Sequence, residues 1–162
     1  MKKIAIILLI LLLLCAGVVG YGLFHTNLQV IAKGVQMVPA SERPTEFAAL
    51  QEAVRNQSLL GTQLRSGELS GSENYSYYMY TLRLKNAGLV NAEMVEVQIA
   101  PIDGDVLFYG ETTEVQIKPG ETKDVWCVLL TQGNPHPVRD IYVTYYLWGH
   151  PQEVKYTYDN VS

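Results

Sequence analysis

The chain has 162 residues, of which 48% are apolar and 17% are charged. This composition excludes a disordered or fibrous protein and fits about one folded domain. Twelve basic and 16 acidic residues give a net charge of -4, without the basic patch that nucleic-acid-binding proteins carry, so no nucleic-acid partner is expected. The two cysteines exclude a disulfide-stapled scaffold and a multi-cysteine zinc site.

The N-terminal segment predicts contact with a membrane. Residues 4–24 carry no charge, and a helix of that length spans about 30 Å, the thickness of one hydrocarbon core. Lys2 and Lys3 precede this segment, and the next basic residue is Lys33. The positive-inside rule therefore places the N-terminus in the cytoplasm and residues 25–162 on the extracytoplasmic side.

Three interpretations of this segment remain open, and all give the same compartment. Residues 1–24 are long enough for an uncleaved signal anchor, a single transmembrane helix in the cell membrane. Its densest apolar part is as short as a signal-peptide core, and Gly20-Tyr21-Gly22 resembles a small-x-small cleavage site, which would make the protein secreted. Lipidation of Cys15 is the third interpretation, although Leu14 before it is large.

The first part of the predicted extracytoplasmic domain contains a strand and one helix. Residues 27–38 read as a strand. Pro44 suits the first turn of a helix, and Phe47, Leu50 and Val54 then fall on one face, which predicts an amphipathic helix near 44–58.

Alternating strand patterns separated by turns fill the rest of the chain. The predicted strands are 76–84, 93–99, 106–109, 114–118, 124–130, 139–148 and 154–158. Asp103-Gly104, Pro119-Gly120 and residues 149–152 carry turn signals, and Pro119-Gly120 suits the centre of a type II turn. The spacing predicts a mainly β fold: an antiparallel Ig-like β-sandwich of about seven strands with one inserted helix.

Residues 80–130 resemble bacterial Ig-like domains of the cell-adhesion-related (CARDB-like) and FxLYD-like type. The similarity is carried by the Asn86-Ala87-Gly88 turn, the alternating strand at 95–99, and the Pro119-Gly120-Glu121 turn before the next strand. The resemblance implies a β-sandwich presented outside the cell as an adhesion or spacer module of the cell envelope. It supplies no catalytic residues.

Tyrosine is unusually frequent, with eleven in the chain. Alternation places five aromatic side chains opposite to the predicted core positions of their strands: Tyr75, Tyr77, Tyr142, Tyr146 and Trp148. If the two strands are neighbours, these side chains form one aromatic face for a glycan or protein partner. Alternatively, the 44–58 helix covers this face, because its own apolar side chains must be buried somewhere.

Other residues with chemical potential favour structural roles. Cys127 follows Trp126 in a strand and lacks an evident base and orienting group, so a buried thiol is expected. Asp103-Gly104-Asp105 lacks the remaining EF-hand spacing, and the histidines, including His136 and His150, lack metal-ligand spacing. We therefore expect no catalytic, cofactor or metal site.

These observations predict a non-enzymatic, membrane-anchored extracytoplasmic Ig-like module for protein interaction or envelope structure. The alternative is a glycan- or peptide-binding domain that uses an exposed face of tyrosine and tryptophan side chains. The short stretch between the apolar segment and the first strand keeps the domain close to the bilayer.

Overall fold

A computed structural model describes residues 2–24, 28–111, 114–133 and 138–158. The apolar segment forms helix α1 (Lys2–Phe24), and residues 25–27 connect it in sequence to the first strand. Within the described residues, one helix is long and apolar enough to cross a membrane, over Lys3–Tyr21. None of that span is buried against the rest of the chain.

The remainder of the described chain is mainly β and contains one further α-helix. Its elements are β1 (Leu28–Pro39), α2 (Pro44–Arg55), β2 (Thr62–Gln63), β3 (Tyr75–Asn86), β4 (Glu93–Ile99), β5 (Asp105–Gly110), β6 (Thr122–Gln132), β7 (Arg139–Leu147) and β8 (His150–Tyr158). Single 3-10 turns at Ala40–Glu42 and Ser72–Asn74 precede α2 and β3.

The strands form two antiparallel sheets. Sheet 1 has the order β1-β3-β6-β5-β2, and sheet 2 has the order β4-β7-β8. Alternate residues of both sheets point inward and form the main core, among them Tyr80, Leu82 and Leu129 of sheet 1 and Val97 and Val143 of sheet 2. This arrangement confirms the predicted β-sandwich with a single helix before it.

Helix α2 packs on the outer face of sheet 1 and creates a second core. Phe47 and Val54, two turns apart on the helix, are buried with Tyr75, Tyr77 and Leu107 of the sheet. Where α2 covers it, sheet 1 is therefore apolar on both faces. The outer face of the rest of sheet 1 is exposed to solvent.

Helix α2 starts as predicted but ends earlier. Pro44 occupies the first turn, and the Arg43 guanidinium donates to the Glu46 carboxylate at 2.9 Å. The helix ends at Arg55 because Gln57 adopts a left-handed φ of 53° and Ser58 N–H returns to the Ala53 carbonyl. This is a Schellman-type ending in which glutamine takes the position usual for glycine.

Two strand predictions are wrong in detail. Residues 114–118 form no strand: Val115 and Ile117 are buried, but this segment is joined to the start of β4 by an isolated bridge between Ala92 and Ile117 and by the hydrogen bond from Val95 N–H to the Val115 carbonyl. The last hairpin turns at Trp148-Gly149, where both residues have positive φ, so β8 begins at His150 instead of at 154. Pro151 is accommodated because β8 is an edge strand.

The turns that carry the family resemblance have well-defined geometry. The Asn86 amide is fully buried and donates to the Val90 carbonyl at 2.7 Å and to the Ile117 carbonyl at 2.8 Å, while its oxygen accepts Gly88 N–H. The turn at Pro119-Gly120 is closed by Glu121 N–H to the Lys118 carbonyl, with Gly120 at φ 76°. The turn predicted at Pro119-Gly120 is confirmed.

Candidate functional site

The structure divides the five predicted aromatic residues between two surfaces. Strand β3, which carries Tyr75 and Tyr77, belongs to sheet 1, whereas β7, which carries Tyr142 and Tyr146, belongs to sheet 2. Trp148 lies in the turn after β7. The five side chains therefore do not form the single aromatic face that adjacent strands would produce.

Tyr75 and Tyr77 lie beneath α2. The Phe47 and Tyr75 rings are 5.4 Å apart, and the Tyr75 hydroxyl accepts Ser70 N–H at 3.1 Å. Both tyrosines are buried, so they act as core residues between the helix and sheet 1. This part of the structure matches the alternative in which the helix covers the aromatic side chains.

The Tyr77 hydroxyl is buried without a hydrogen-bond partner among the described residues. Burial is the main reason that the pKa of Tyr77 lies well above its ordinary value, and Tyr109 and Glu46 raise it further. Tyr77 lines a small pocket of about 30 Å³ near the start of α2. Such a space is about the size that one water molecule needs.

Tyr142, Tyr146 and Trp148 remain accessible on or next to the outer face of sheet 2. The Lys155 ammonium lies 5.8 Å from the centre of the Tyr142 ring and forms an ion pair with Asp140 at 2.9 Å. Tyr146 and Trp148 are 36% and 50% exposed. Three of the five predicted residues thus lie along one strand and its turn, outside the core.

A groove lies beside this surface. It has a volume of about 650 Å³ and is lined by side chains of β4, β7, β8 and the β5–β6 connection, among them Met94, Glu96, Glu111, Glu114, Tyr146 and Glu153. Gln98, Thr144 and Gln152 add neutral polar groups to the lining. The groove therefore combines two aromatic residues, Tyr145 and Tyr146, with several hydrogen-bond acceptors and donors.

A buried ion pair that the sequence analysis missed joins the two sheets. Arg139 of β7 donates from both terminal nitrogens to the two carboxylate oxygens of Asp105 on β5, each at 2.9 Å. Both side chains are 1% exposed, and Asp105 also accepts Ile102 N–H at 2.7 Å. Asp105 is thus an anchor of the sandwich and not a solvated turn carboxylate.

Cys127 is fully buried in β6, as predicted for a small core residue. Burial raises the pKa of its thiol to about 12, so the thiolate form is disfavoured at neutral pH. His150 is exposed at the start of β8, and His136 lies outside the described residues. Within the described part of the chain, no group of three or more His, Cys, Asp or Glu residues has the arrangement of a metal site.

Comparison with protein-family models gives no match, and comparison with curated proteins gives none either. Among solved structures, the chain is similar to the FixG-related protein from Vibrio parahaemolyticus, with a TM-score of 0.36 and 13% sequence identity. That alignment covers 78% of this chain and 94% of the other.

Proposed function

We propose that this protein is a non-enzymatic interaction or structural module that α1 holds at the extracytoplasmic side of a cell membrane. The observation that carries the proposal is the combination of a membrane-length apolar helix and a β-sandwich that begins only three residues after it. Such a short connection restricts the reach of the domain and favours partners in or near the same membrane.

The orientation in this proposal rests on charge. Lys2 and Lys3 precede the apolar residues of α1, and the next basic residue, Lys33, lies inside β1. Positive charge on the N-terminal flank favours a cytoplasmic N-terminus. The sandwich then faces the extracytoplasmic space, where the Ig-like resemblance of residues 80–130 also suggests an adhesion or spacer role.

The outer face of sheet 2 supports a contact surface for a protein partner. Helix α2 covers part of the outer face of sheet 1, but no helix among the described residues covers the corresponding face of sheet 2, which presents Tyr142 and Tyr146. Tyrosine is enriched at protein interfaces because it combines apolar area with a hydrogen-bonding hydroxyl.

Site-specific crosslinking in intact membranes tests this proposal. A photoreactive phenylalanine analogue at Tyr146 should give a discrete crosslinked species in the membrane fraction of cells that express the full chain at its natural level. The same analogue at Glu68, which is exposed on the connection between β2 and β3, is the matched control. Recovery of the chain in the soluble fraction, or equal adducts at both positions, would contradict the proposal.

Glycan binding is a second candidate function, favoured by the groove beside Tyr146. A sugar ring can stack on an aromatic side chain while carboxylates and amides accept and donate hydrogen bonds to its hydroxyl groups. Tyr146, Glu96 and Glu153 line one groove and provide that combination. Binding to a glycan array is measured for the full chain and for two variants. If Tyr146→Ala abolishes binding and Tyr142→Ala retains it, glycan binding is favoured over protein interaction as the function.

A further inference from the structure

One end of the sandwich, which we call the helix-proximal end, is defined by Leu28, the first residue of β1. Leu28 pairs with Asn86, the last residue of β3. The β3–β4 connection, residues 87–91, starts at Asn86 and returns to Ala92, which is bridged to Ile117. The connection therefore projects from the same end of the sandwich that α1 precedes.

Sheet 2 contributes a second projection at this end. Glu93, which directly follows Ala92, pairs with Tyr146 near the end of β7. The β7–β8 turn at Trp148-Gly149 comes two residues later. The 87–91 connection and the Trp148 turn thus extend side by side from the two sheets.

Both projections carry a large apolar side chain in solvent. Leu89 is 72% exposed and Trp148 is 50% exposed. Neither contributes to the two buried cores. Their exposure is therefore not explained by the packing of the sandwich.

Trp148 is also an unfavourable residue for the backbone conformation of the turn in which it lies. Its φ is 49° and that of Gly149 is 76°, the combination of a two-residue type I′ hairpin turn. Asparagine followed by glycine suits such a turn best, because a bulky residue at positive φ is strained. The requirements of the turn therefore do not explain why position 148 is a tryptophan.

The connection to α1 limits how far this end can lie from the bilayer. Phe24 and Leu28 are separated by four peptide steps, so their Cα atoms are at most about 15 Å apart. The interfacial layer of a bilayer is itself roughly 5 to 8 Å thick on each side. Loop tips at the helix-proximal end are thus within reach of lipid headgroups.

We propose that Leu89 and Trp148 insert into the interfacial layer of the membrane that holds α1. Tryptophan favours this layer because its ring is apolar and its indole N–H remains hydrogen-bonded there. The proposal rests on the proposed membrane anchoring by α1. It makes the lipid surface a second support that fixes the orientation of the sandwich above the bilayer.

The contact is apolar in origin. Lys85 and Lys118 lie at this end, but Glu93 and Glu114 are exposed there as well. The positive charges of the lysines and the negative charges of the glutamates offset each other, so attraction to anionic lipid is not the source of the contact. A zwitterionic phosphatidylcholine bilayer is therefore sufficient.

Tryptophan quenching in vesicles tests the proposal with the full chain. The chain has two tryptophans, so Trp126→Phe leaves Trp148 alone and Trp148→Asn leaves Trp126 alone. Trp126 is a matched control, because it is 37% exposed but lies in the fifth position of β6, away from the helix-proximal end. Asparagine suits the type I′ turn, so Trp148→Asn retains the hairpin.

Both variants are reconstituted into phosphatidylcholine vesicles that contain lipid brominated near the headgroup end of its acyl chains. We expect Trp148 emission to be quenched several-fold more strongly than Trp126 emission. Adding Leu89→Ser should reduce the quenching of Trp148, whereas Ile102→Ser, on the β4–β5 connection at the opposite end, should not.

The outcomes separate this proposal from the anchoring on which it rests. If the chain floats with the vesicles but Trp148 is quenched no more than Trp126, the lipid contact is overturned and the anchor stands. If the chain does not float with the vesicles, the anchor itself fails and the lipid contact fails with it.

Discussion

Arg139 on β7 and Asp105 on β5 form a bidentate ion pair between the two sheets of the sandwich, with both N–O distances at 2.9 Å. The pair is almost completely removed from solvent. Because sheet 1 and sheet 2 share no strand, this contact is a specific polar link between them.

Breaking the pair on one side should destabilise the protein strongly. Arg139→Met leaves the Asp105 carboxylate buried without its cation, and we expect a loss of about 3 to 5 kcal/mol in the free energy of unfolding. Urea titration of the full chain in detergent measures this loss. Arg83→Met is the control, because Arg83 pairs with Asp124 at 2.7 Å on an exposed surface, where solvent screens the pair, so its loss should change the free energy of unfolding far less. Equal losses for the two variants would contradict the inter-sheet role.

Tyr75 and Tyr77 should respond oppositely to removal of their hydroxyl groups. Tyr75→Phe removes a group that accepts from Ser70 N–H and Ser70 Oγ, and should cost about 1 kcal/mol. Tyr77→Phe removes a buried hydroxyl that has no partner among the described residues, and should be neutral or stabilising by about 1 kcal/mol. Thermal unfolding of the two variants compares them directly. A larger loss for Tyr77→Phe would show that a bound water or ligand satisfies this hydroxyl.

The Asn86 side chain should be essential to the β3–β4 connection. Asn86→Ala leaves the Val90 and Ile117 carbonyls and the Gly88 N–H without their partner, and we expect a loss of about 3 kcal/mol. Denaturant unfolding measures the loss. Asn91→Ala, in the same connection but exposed, should change stability by less than about 0.5 kcal/mol.

Stability should fall at alkaline pH because of Cys127. Burial raises the pKa of the thiol from 9.0 to about 12 in the folded chain, so the unfolded chain loses this proton first as pH rises. The stabilising contribution is complete below about pH 9, and about 1 kcal/mol of it is lost between pH 9 and pH 10. Unfolding free energies measured across this range should decline less steeply for Cys127→Ala than for the unaltered chain.

The sequence predicted features that depend on local pattern. Alternation in 93–99 gives the bounds of β4, and the alternation of Tyr78, Tyr80 and Leu82 correctly identifies the inward face of β3. The proline at the start of α2 and the glycine of the 119–120 turn act through their own backbone preferences, so they are recognisable without tertiary information.

Features that depend on which strands are neighbours were not predictable in this way. Alternation shows that Tyr77 and Tyr146 both point away from the main core, but not that they lie on different sheets. The Arg139–Asp105 pair joins residues 34 positions apart, and the Asp103-Gly104-Asp105 pattern alone suggests only a turn. Val115 and Ile117 alternate as in a strand and are buried, yet their segment joins β4 through an isolated bridge and one further backbone hydrogen bond, and forms no strand.

Cysteine accessibility tests whether α1 anchors the sandwich on the extracytoplasmic side of a membrane. The full chain is expressed in bacterial spheroplasts with Cys15→Ala and Glu68→Cys, and a membrane-impermeant maleimide is added. Cys127 is buried and should not react, so labelling reports on the exposed position 68 alone. If α1 anchors the sandwich in this orientation, a membrane-bound chain is labelled in intact spheroplasts. Labelling that requires permeabilisation, or a labelled chain released into the medium, would contradict it.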